Sequence, residues 1–571
     1  MSVHYESWLA SSSIDEAMKK ELREMTKEQI EDAFYQDLAF GTGGMRGVLG
    51  AGTNRLNVAT VRRAAHGIAN YISSQGEEAK SRGFVIAFDN RRMSKEFSQE
   101  VASVLGSNGI QVYLYEQPRT TPQLSFSIRQ LNCFMGMMIT ASHNPPEYNG
   151  LKVYGEDGAQ LNLEDAERVV AAIQQVAAPE TISSLSFSES FRDASIQYIG
   201  QTLDEAYQQQ VASVVFDLES LQKTTLKTIF TPLHGASGST VRALQDKLAI
   251  PHFSFVEAQM EPDSEFSTLT SANPEDESAF ALAIEQGIAQ QTDLLIAVDP
   301  DGDRVGLAVW TGSSYQLLNG NETGALVLHF ILSQHQQQGT LPTNGIVYKT
   351  IVTSEMGRMI AKSFGVTTED VLTGFKFIGE KIREIEHDSS YKFLFGYEES
   401  YGYLAKPFAR DKDAIQLVVL LTEMAAYYHA QSMTLMEALD ALYETYGVFK
   451  EKLISVTIKG MSGAAQIQQA LQSVRKEQLT QMAGSQVIHF EDYLSQVRKS
   501  HDEQEQLTLP PANVLKFVLS DGTWVCLRPS GTEPKIKYYI GVQKNTATEA
   551  QTRLNEVGEW VNGWMELKLK L

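Results

Sequence analysis

Three short segments of this 571-residue chain carry the residue types that handling a phosphoryl group requires. The first, Thr140-Ala141-Ser142-His143-Asn144-Pro145, offers a hydroxyl nucleophile on a loop that the following prolines keep out of helix. Serine is a weak nucleophile and needs a base, a metal or both. The second, Asp299-Pro300-Asp301-Gly302-Asp303-Arg304, puts three carboxylates within five residues, an all-oxygen set suited to a hard cation such as Mg²⁺. It opens like a calcium-binding hand. Arg304 stands where that loop needs glycine, however, and 308–310 supply no closing glutamate, so the calcium-hand reading fails. The third, Arg528-Pro529-Ser530-Gly531-Thr532-Glu533-Pro534-Lys535, surrounds a glycine with a guanidinium, two hydroxyls and backbone N–H groups, a fit for a phosphate that is held in place and not transferred. Each segment alone has a plainer reading as a strand-end loop, a solvated acidic turn or a polar hairpin. Together they point to phosphoryl transfer in a cleft that several domains close.

Strand–helix alternation is what must position them. Apolar runs at 84–89, 111–115 and 133–139 predict strands buried on both faces of a parallel sheet, with a polar helix reaching Leu105. Thr140 and Ser142 follow the third run directly, at the carboxyl end of a strand, where open α/β sheets gather ligands. Strands at 294–298 and 305–310 enter and leave the aspartate loop. Another strand at 228–232 turns through His234-Gly235-Ala236-Ser237-Gly238 into a helix near Ser239, and here an ordinary small-residue turn is the simpler reading. A long amphipathic helix is expected at 415–429. After about 447 the pattern becomes an antiparallel meander at 514–519, 523–527 and 536–542, closed by a helix near 547–564. Residues 12–35 read as polar helix, and the glycine-rich 40–47 with Arg46 reads equally as a turn or as a ligand approach.

Composition limits the function. At ~150 residues per domain the length implies about four domains. Lys plus Arg total 48 against 70 Asp plus Glu, and the net charge of −22 argues against a nucleic-acid or anionic-membrane binder. Local basic pockets near Arg304, Arg410 and Arg528 still allow anionic substrates. Cys133 and Cys526 lie in apolar strand-like runs and are expected to be buried free thiols. No signal-like segment and no run near the ~18 apolar residues of a membrane span is present, so a cytoplasmic protein is expected. Glu398 and Ser400 could read sugar hydroxyls. The run Arg410-Asp411-Lys412-Asp413 could supply a charge or a proton, although such runs usually form a solvated face.

Taken in this order, the motifs resemble the α-D-phosphohexomutase family, in its phosphoglucomutase branch, from Gly41 to Lys537. The resemblance implies an α/β fold of four domains around a central cleft, three similar mixed α/β domains and a smaller C-terminal α+β domain. The expected spans are 1–205 (phosphoserine loop), 206–316 (metal loop), 317–446 (sugar loop) and 447–571 (phosphate loop). It implies a phosphoserine at Ser142 and one Mg²⁺ per subunit on Asp299, Asp301, Asp303 and the serine phosphate. The sugar loop falls on Glu398 and Ser400, the specificity loop on Thr373, Gly374 and the residues up to Lys376, and the phosphate loop on Arg528, Ser530, Gly531 and Thr532. Arg46, His143, Lys152, Arg304 and Lys412 fall where the family surrounds the reacting phosphoryl group, with Lys412 the leading acid/base and Lys152 and His143 its rivals.

The implied activity is reversible interconversion of α-D-glucose 1-phosphate and glucose 6-phosphate, with glucose 1,6-bisphosphate as intermediate and activator. Phosphomannomutase, phosphopentomutase and sugar bisphosphate synthase activities are the near alternatives. A two-metal phosphatase ranks low because the sequence has one carboxylate cluster, and the intact serine, aspartate and phosphate loops argue against a non-catalytic sugar-phosphate binder. The expected partners are small sugar phosphates, with no nucleic acid and no membrane, on a monomer or weak dimer. One departure stands out: many relatives have glycine before the paired glutamates, whereas this chain has Tyr397, which is expected to narrow or reshape the sugar pocket.

Overall fold

The structure is a computed structural model that describes residues 3–41, 43–183, 187, 195–458, 463–477, 479–500, 503–530 and 534–570. Among the described residues it has four sheets, met in sequence order. In the first, Met135–Ile139 lies between Phe84–Phe88, its parallel neighbour, and the antiparallel Tyr148–Gly155. Val112–Tyr115 and Ile196–Ile199 extend the parallel side, and Gly44–Val48 extends the antiparallel side. Every residue of Phe84–Phe88 and Met135–Ile139 is buried, which explains their unbroken apolar sequences. The expected strand from Cys133 starts at Met135 instead.

The second sheet has the order Tyr315–Leu318, Val305–Trp310, Leu294–Val298, Thr228–Thr231 and Phe253–Phe255. Its Leu294–Val298 and Val305–Trp310 pair antiparallel, so the aspartate loop is the connection of a buried hairpin. In the third sheet Gly345–Thr350 sits between Thr367–Val371 and Lys392–Glu398, with Gly402–Leu404 at the edge. The fourth sheet contains the expected meander, as Leu515–Leu519, Trp524–Pro529 and Lys535–Lys544. It also contains strands not expected from the sequence, Val448–Thr457 and Ser485–Asp492 among them. Helix Ala547–Leu569 covers it, starting at a Thr546 capping box with Glu549.

The helix expected to be amphipathic over 415–429 forms as Ala414–Ala430 but is buried around nearly its whole circumference. It packs against Gln201–Ala212, Gly238–Leu248, Gly320–Gln337 and the strands on either side of the aspartate loop. One apolar core therefore joins elements of the second and third domains: Phe230 and Ile296 share it with Val347, Phe395 and Leu420. A helix enclosed on all sides needs apolar residues on all sides, as Leu417 to Leu421 show. The first domain keeps a core of its own, and so does most of the fourth. Cys133 and Cys526 are buried free thiols. No helix among the described residues is long and apolar enough to cross a membrane.

Candidate active site

Ser142 adopts a left-handed backbone conformation, with φ 52°. This is costly for a non-glycine residue unless its surroundings impose it. Several groups do. Its N–H donates to Thr140 Oγ1 at 2.7 Å. Its carbonyl accepts from the Arg91 guanidinium, which also donates to the carbonyls of Asn144, Pro145 and Tyr148. The turn directs Ser142 Oγ at the second domain, where it donates to Asp299 Oδ2 at 2.6 Å, while His143 Nδ1 lies 3.1 Å from the same oxygen.

Asp299, Asp301 and Asp303 converge, with one carboxylate oxygen from each within 4.8 Å of the others, and all three are buried. Gly302 has φ 73°, and a Cβ there would strike Thr120 of the first domain, so the loop needs glycine for both conformation and space. Asp299 Oδ1 accepts from the N–H groups of Asp303 and Arg304 at 3.0 and 2.9 Å. Asp301 Oδ2 accepts from Lys152 Nζ at 2.6 Å and Thr121 Oγ1 at 2.8 Å. Asp303 Oδ2 accepts from Lys152 Nζ at 3.0 Å and lies 3.3 Å from Lys412 Nζ. The remaining oxygens, Asp301 Oδ1 and Asp303 Oδ1, are buried with no hydrogen-bond partner. Buried acceptors left open beside a third carboxylate fit a hard cation, and the group can hold a metal ion.

The charges around the cluster follow from burial and proximity. Burial and the neighbouring Asp301 and Asp303 push Asp299 well above the usual carboxylate range. At Asp303, burial is outweighed by Lys152, Lys412 and Arg304, which hold it low. Burial would lower both lysines, but Asp301 and Asp303 raise Lys152, and Asp303, Asp411 and Glu398 raise Lys412. His143 is driven down to about 3 by burial and by Arg304 and Arg46, so its imidazole is neutral. The Arg304 guanidinium is paired with Glu275 and lies 4.0 Å from Asp303. Arg46 reaches the serine loop through Asn144, donating to its Oδ1 at 2.8 Å.

The Arg410–Asp413 run is not a solvated face: Arg410, Asp411 and Asp413 are all buried. Arg410 is paired with Glu386. Lys412 stays in the site because Asp411 holds its ammonium at 3.0 Å, and Tyr154 in turn donates to Asp411 at 2.8 Å.

In the third domain, Glu398 is buried, accepts from the Gly374 N–H at 2.8 Å and is pushed up to about 7, mainly by burial. This contact joins the expected specificity and sugar loops, and the buried Thr373 hydroxyl beside it has no partner. Ser400 is partly exposed two residues beyond Glu398. Arg528, near the end of strand Trp524–Pro529, lies close enough to act electrostatically on Glu399, and the Ser530 N–H donates to Lys535 O at 2.7 Å. Gly531, Thr532 and Glu533 lie outside the described residues.

Tyr397 does not narrow the sugar pocket. It points away from Glu398 into the shared core and stacks on Phe395. A Cβ on Gly324 or Gly357 would strike its ring or hydroxyl, so two glycines make the room it needs.

Sequence reasoning missed Arg91, Thr121, Tyr154 and Glu275. Arg91 was within reach, because Asp89-Asn90-Arg91-Arg92 follows the buried strand Phe84–Phe88 at its carboxyl end, as the serine loop follows its own strand.

The sequence matches the models for phosphoglucomutase/phosphomannomutase alpha/beta/alpha domains I, II and III at residues 37–180, 205–312 and 319–446. The model for the C-terminal domain matches 468–557. The chain belongs to the phosphoglucomutase/phosphomannomutase family. It is 40% identical over 534 residues to a phosphoglucomutase of Staphylococcus epidermidis, covering 93% of this chain and 95% of that one. A phosphoglucomutase of Staphylococcus aureus is 36% identical over 553 residues, with 96% and 97% covered. Two solved structures share the fold. A putative phosphomannomutase from Thermus thermophilus has a TM-score of 0.68 at 20% identity, with 93% and 99% covered. The open form of pp63/parafusin, a Paramecium phosphoglucomutase, has a TM-score of 0.68 at 17% identity, with 94% and 95% covered.

Proposed function

We propose that this protein is a phosphoglucomutase that interconverts α-D-glucose 1-phosphate and glucose 6-phosphate through a phosphorylated Ser142. The observation that carries this reading is the contact of Ser142 Oγ, on a turn forced into a left-handed conformation, with a carboxylate trio that keeps two acceptors open. Its relatives named phosphoglucomutase at 36–40% identity over nearly the whole chain support the choice of sugar.

In this mechanism phosphoserine Ser142 passes its phosphoryl group to the free hydroxyl of the bound sugar monophosphate. A bond forms between that hydroxyl oxygen and phosphorus, and the Ser142 Oγ–P bond breaks. The hydroxyl proton moves to a nearby base. Lys412 is the leading candidate for the acid/base group, with Lys152 as its rival. Both ammonium groups are set against the aspartates, so the proton-accepting step needs one of them to be displaced from its carboxylate partner. Ser142 Oγ takes up a proton as it leaves phosphorus and gives it back when the phosphate returns, and His143 Nδ1, 3.1 Å from Oγ, is in place to relay it.

Asp299, Asp301 and Asp303 would hold Mg²⁺, which when bound supplies charge stabilisation for the transferring group. Arg304 and Arg46 add positive charge on the same side. Arg528, Ser530, Gly531 and Thr532 hold the non-transferring phosphate, and Glu398 with Ser400 reads the sugar hydroxyls. The bisphosphorylated sugar then turns over within the cleft, and its other phosphate returns to Ser142. Because either end must fit the same phosphate loop, glucose 1,6-bisphosphate serves as both intermediate and activator.

The test is turnover of glucose, mannose and ribose 1-phosphates with Mg²⁺ and a trace of glucose 1,6-bisphosphate, beside Ser142→Ala. The expected result is fastest turnover of the glucose ester and loss of at least about a thousandfold in the variant. Equal activity in Ser142→Ala would remove the serine from the mechanism, and preference for another ester would reassign the substrate.

A further inference from the structure

The turn Thr231-Pro232-Leu233-His234-Gly235 reads as an ordinary strand–helix connection in the sequence, but its geometry is unusual. Leu233 and His234 are consecutive non-glycine residues in the left-handed region, at φ 48° and 62°. Two such residues in a row persist only where contacts dictate them. Here a closed chain of hydrogen bonds does so. Thr231 Oγ1 donates to Gln259 Oε1 at 2.6 Å, and Gln259 Nε2 donates to Thr268 Oγ1 at 2.9 Å. Thr268 Oγ1 lies 2.9 Å from His234 Nε2, and His234 Nδ1 lies 3.2 Å from the Glu261 carbonyl. A carbonyl only accepts, so Nδ1 carries the proton and Nε2 accepts from Thr268, and both ring nitrogens are satisfied. Backbone bonds from His234 N to Gln259 O and from Asp263 N to His234 O, each 3.1 Å, complete the clamp on the segment after Gln259.

That segment reaches the first domain. Asn90 Nδ2 donates to the Asp263 carbonyl at 2.8 Å, Arg92 pairs with Glu265, and the Arg91 guanidinium lies 5.0 Å over the Phe266 ring. Arg91 is the residue whose guanidinium holds the Ser142 and Asn144 carbonyls. On its other side the turn touches the aspartate loop: Ala236 N donates to Pro300 O at 2.8 Å, and a Cβ on Gly235 would strike Pro300 Cα. His234 thus braces the serine loop through Phe266 and Arg91, and the aspartate loop through Gly235 and Ala236.

We propose that His234 is a positioning residue for phosphoryl transfer, fixing the distance between Ser142 and the aspartate cluster without touching substrate. The proposal rests on the mutase reading for its kinetic consequence but not for its structural one. Phosphoryl transfer is sensitive to misalignment, and a displacement of about 1 Å costs on the order of a hundredfold in rate.

The experiment compares wild type with His234→Ala, His234→Asn and Thr268→Val by amide hydrogen exchange and steady-state kinetics. Thr268 is exposed, so Thr268→Val removes one link with little risk to folding. Asparagine tolerates the left-handed conformation and keeps a donor, and is expected to recover part of the loss. In His234→Ala and Thr268→Val, the amides of residues 140–144 are expected to exchange faster. The kcat is expected to fall about 10- to 100-fold in His234→Ala, with KM for glucose 1-phosphate within about twofold of wild type. Unchanged exchange at 140–144 in both variants would overturn the proposal, as would a loss carried wholly by KM. Exchange needs no turnover. If wild type converts no sugar phosphate, the mutase reading fails while the exchange result still decides the brace.

Discussion

Ser142 is held ready by residues of two domains: Arg91 fixes its carbonyl, and Asp299 receives its hydroxyl. The serine and the three aspartates were legible in the sequence because their motifs sit within a few residues of one another. Arg91, Tyr154 and Glu275 were not, because each acts across a sequence gap of tens to hundreds of residues on a partner that only the fold supplies. The role of Asp411 was hidden for the same reason, since a run of alternating charges reads as surface until Tyr154 is seen against it. Burial pushes Glu398 up to about 7, so it carries a proton below that pH and becomes a full acceptor for sugar hydroxyls above it. KM for glucose 1-phosphate is expected to rise as the pH falls from about 8 to 6, approaching tenfold per unit on the acid side. The substrate phosphate also titrates near pH ~6, but Glu398→Gln keeps that contribution and loses the other. Identical KM profiles in the two proteins would contradict the assignment.

At the scale of elements, helix Ala414–Ala430 does more than pack behind the site. It begins at Asp413, which caps it, and Ala414 N donates to Gly302 O of the aspartate loop at 3.2 Å. Its apolar sequence announced a helix, but not that two domains would enclose it, because enclosure depends on tertiary packing. The strand Val448–Thr457 was missed because Lys450-Glu451-Lys452 interrupts any two-residue alternation and its outer positions are exposed. The buried helix also carries Glu423, whose Oε1 accepts from the Phe216 and Asp217 N–H groups at 2.8 and 2.6 Å while Oε2 has no partner. Burial pushes this carboxyl up to about 7 from an ordinary 4.5. The folded protein therefore binds more protons than the unfolded chain between those values, and this group's contribution to stability falls as pH rises through the window. Glu423→Gln is expected to remove that fall, so that relative to wild type it gains about 1–3 kcal/mol between pH ~4.5 and ~8 in urea unfolding. A stability difference that does not change with pH would contradict this.

For the whole molecule, the contacts divide unevenly. The first three domains meet at the aspartate loop through backbone bonds: Thr121 N to Asp301 O at 2.7 Å, Ala414 N to Gly302 O at 3.2 Å and Val305 N to Tyr401 O at 3.1 Å. The fourth follows Gly447 and rests on the third through an apolar patch that includes Ile351, Leu372, Trp524 and Tyr539. Movement about residue 447 is therefore the expected way to admit and release substrate. Solution scattering is expected to show a smaller radius of gyration with glucose 1,6-bisphosphate than without it, and superimposable profiles would contradict this. That the chain had about four domains was legible from its length and from the change of pattern near 447. That the second and third share a core was not, because contacts between domains leave no periodic mark. The central claim is that Ser142 carries the phosphoryl group. The most direct measurement is peptide mass spectrometry of the Mg²⁺-bound protein after incubation with glucose 1,6-bisphosphate. The expected result is one added phosphate, on the peptide containing Ser142, which exchanges with isotopically labelled glucose 1-phosphate during turnover. Turnover with no phosphate on Ser142, or with the phosphate on another residue, would contradict it.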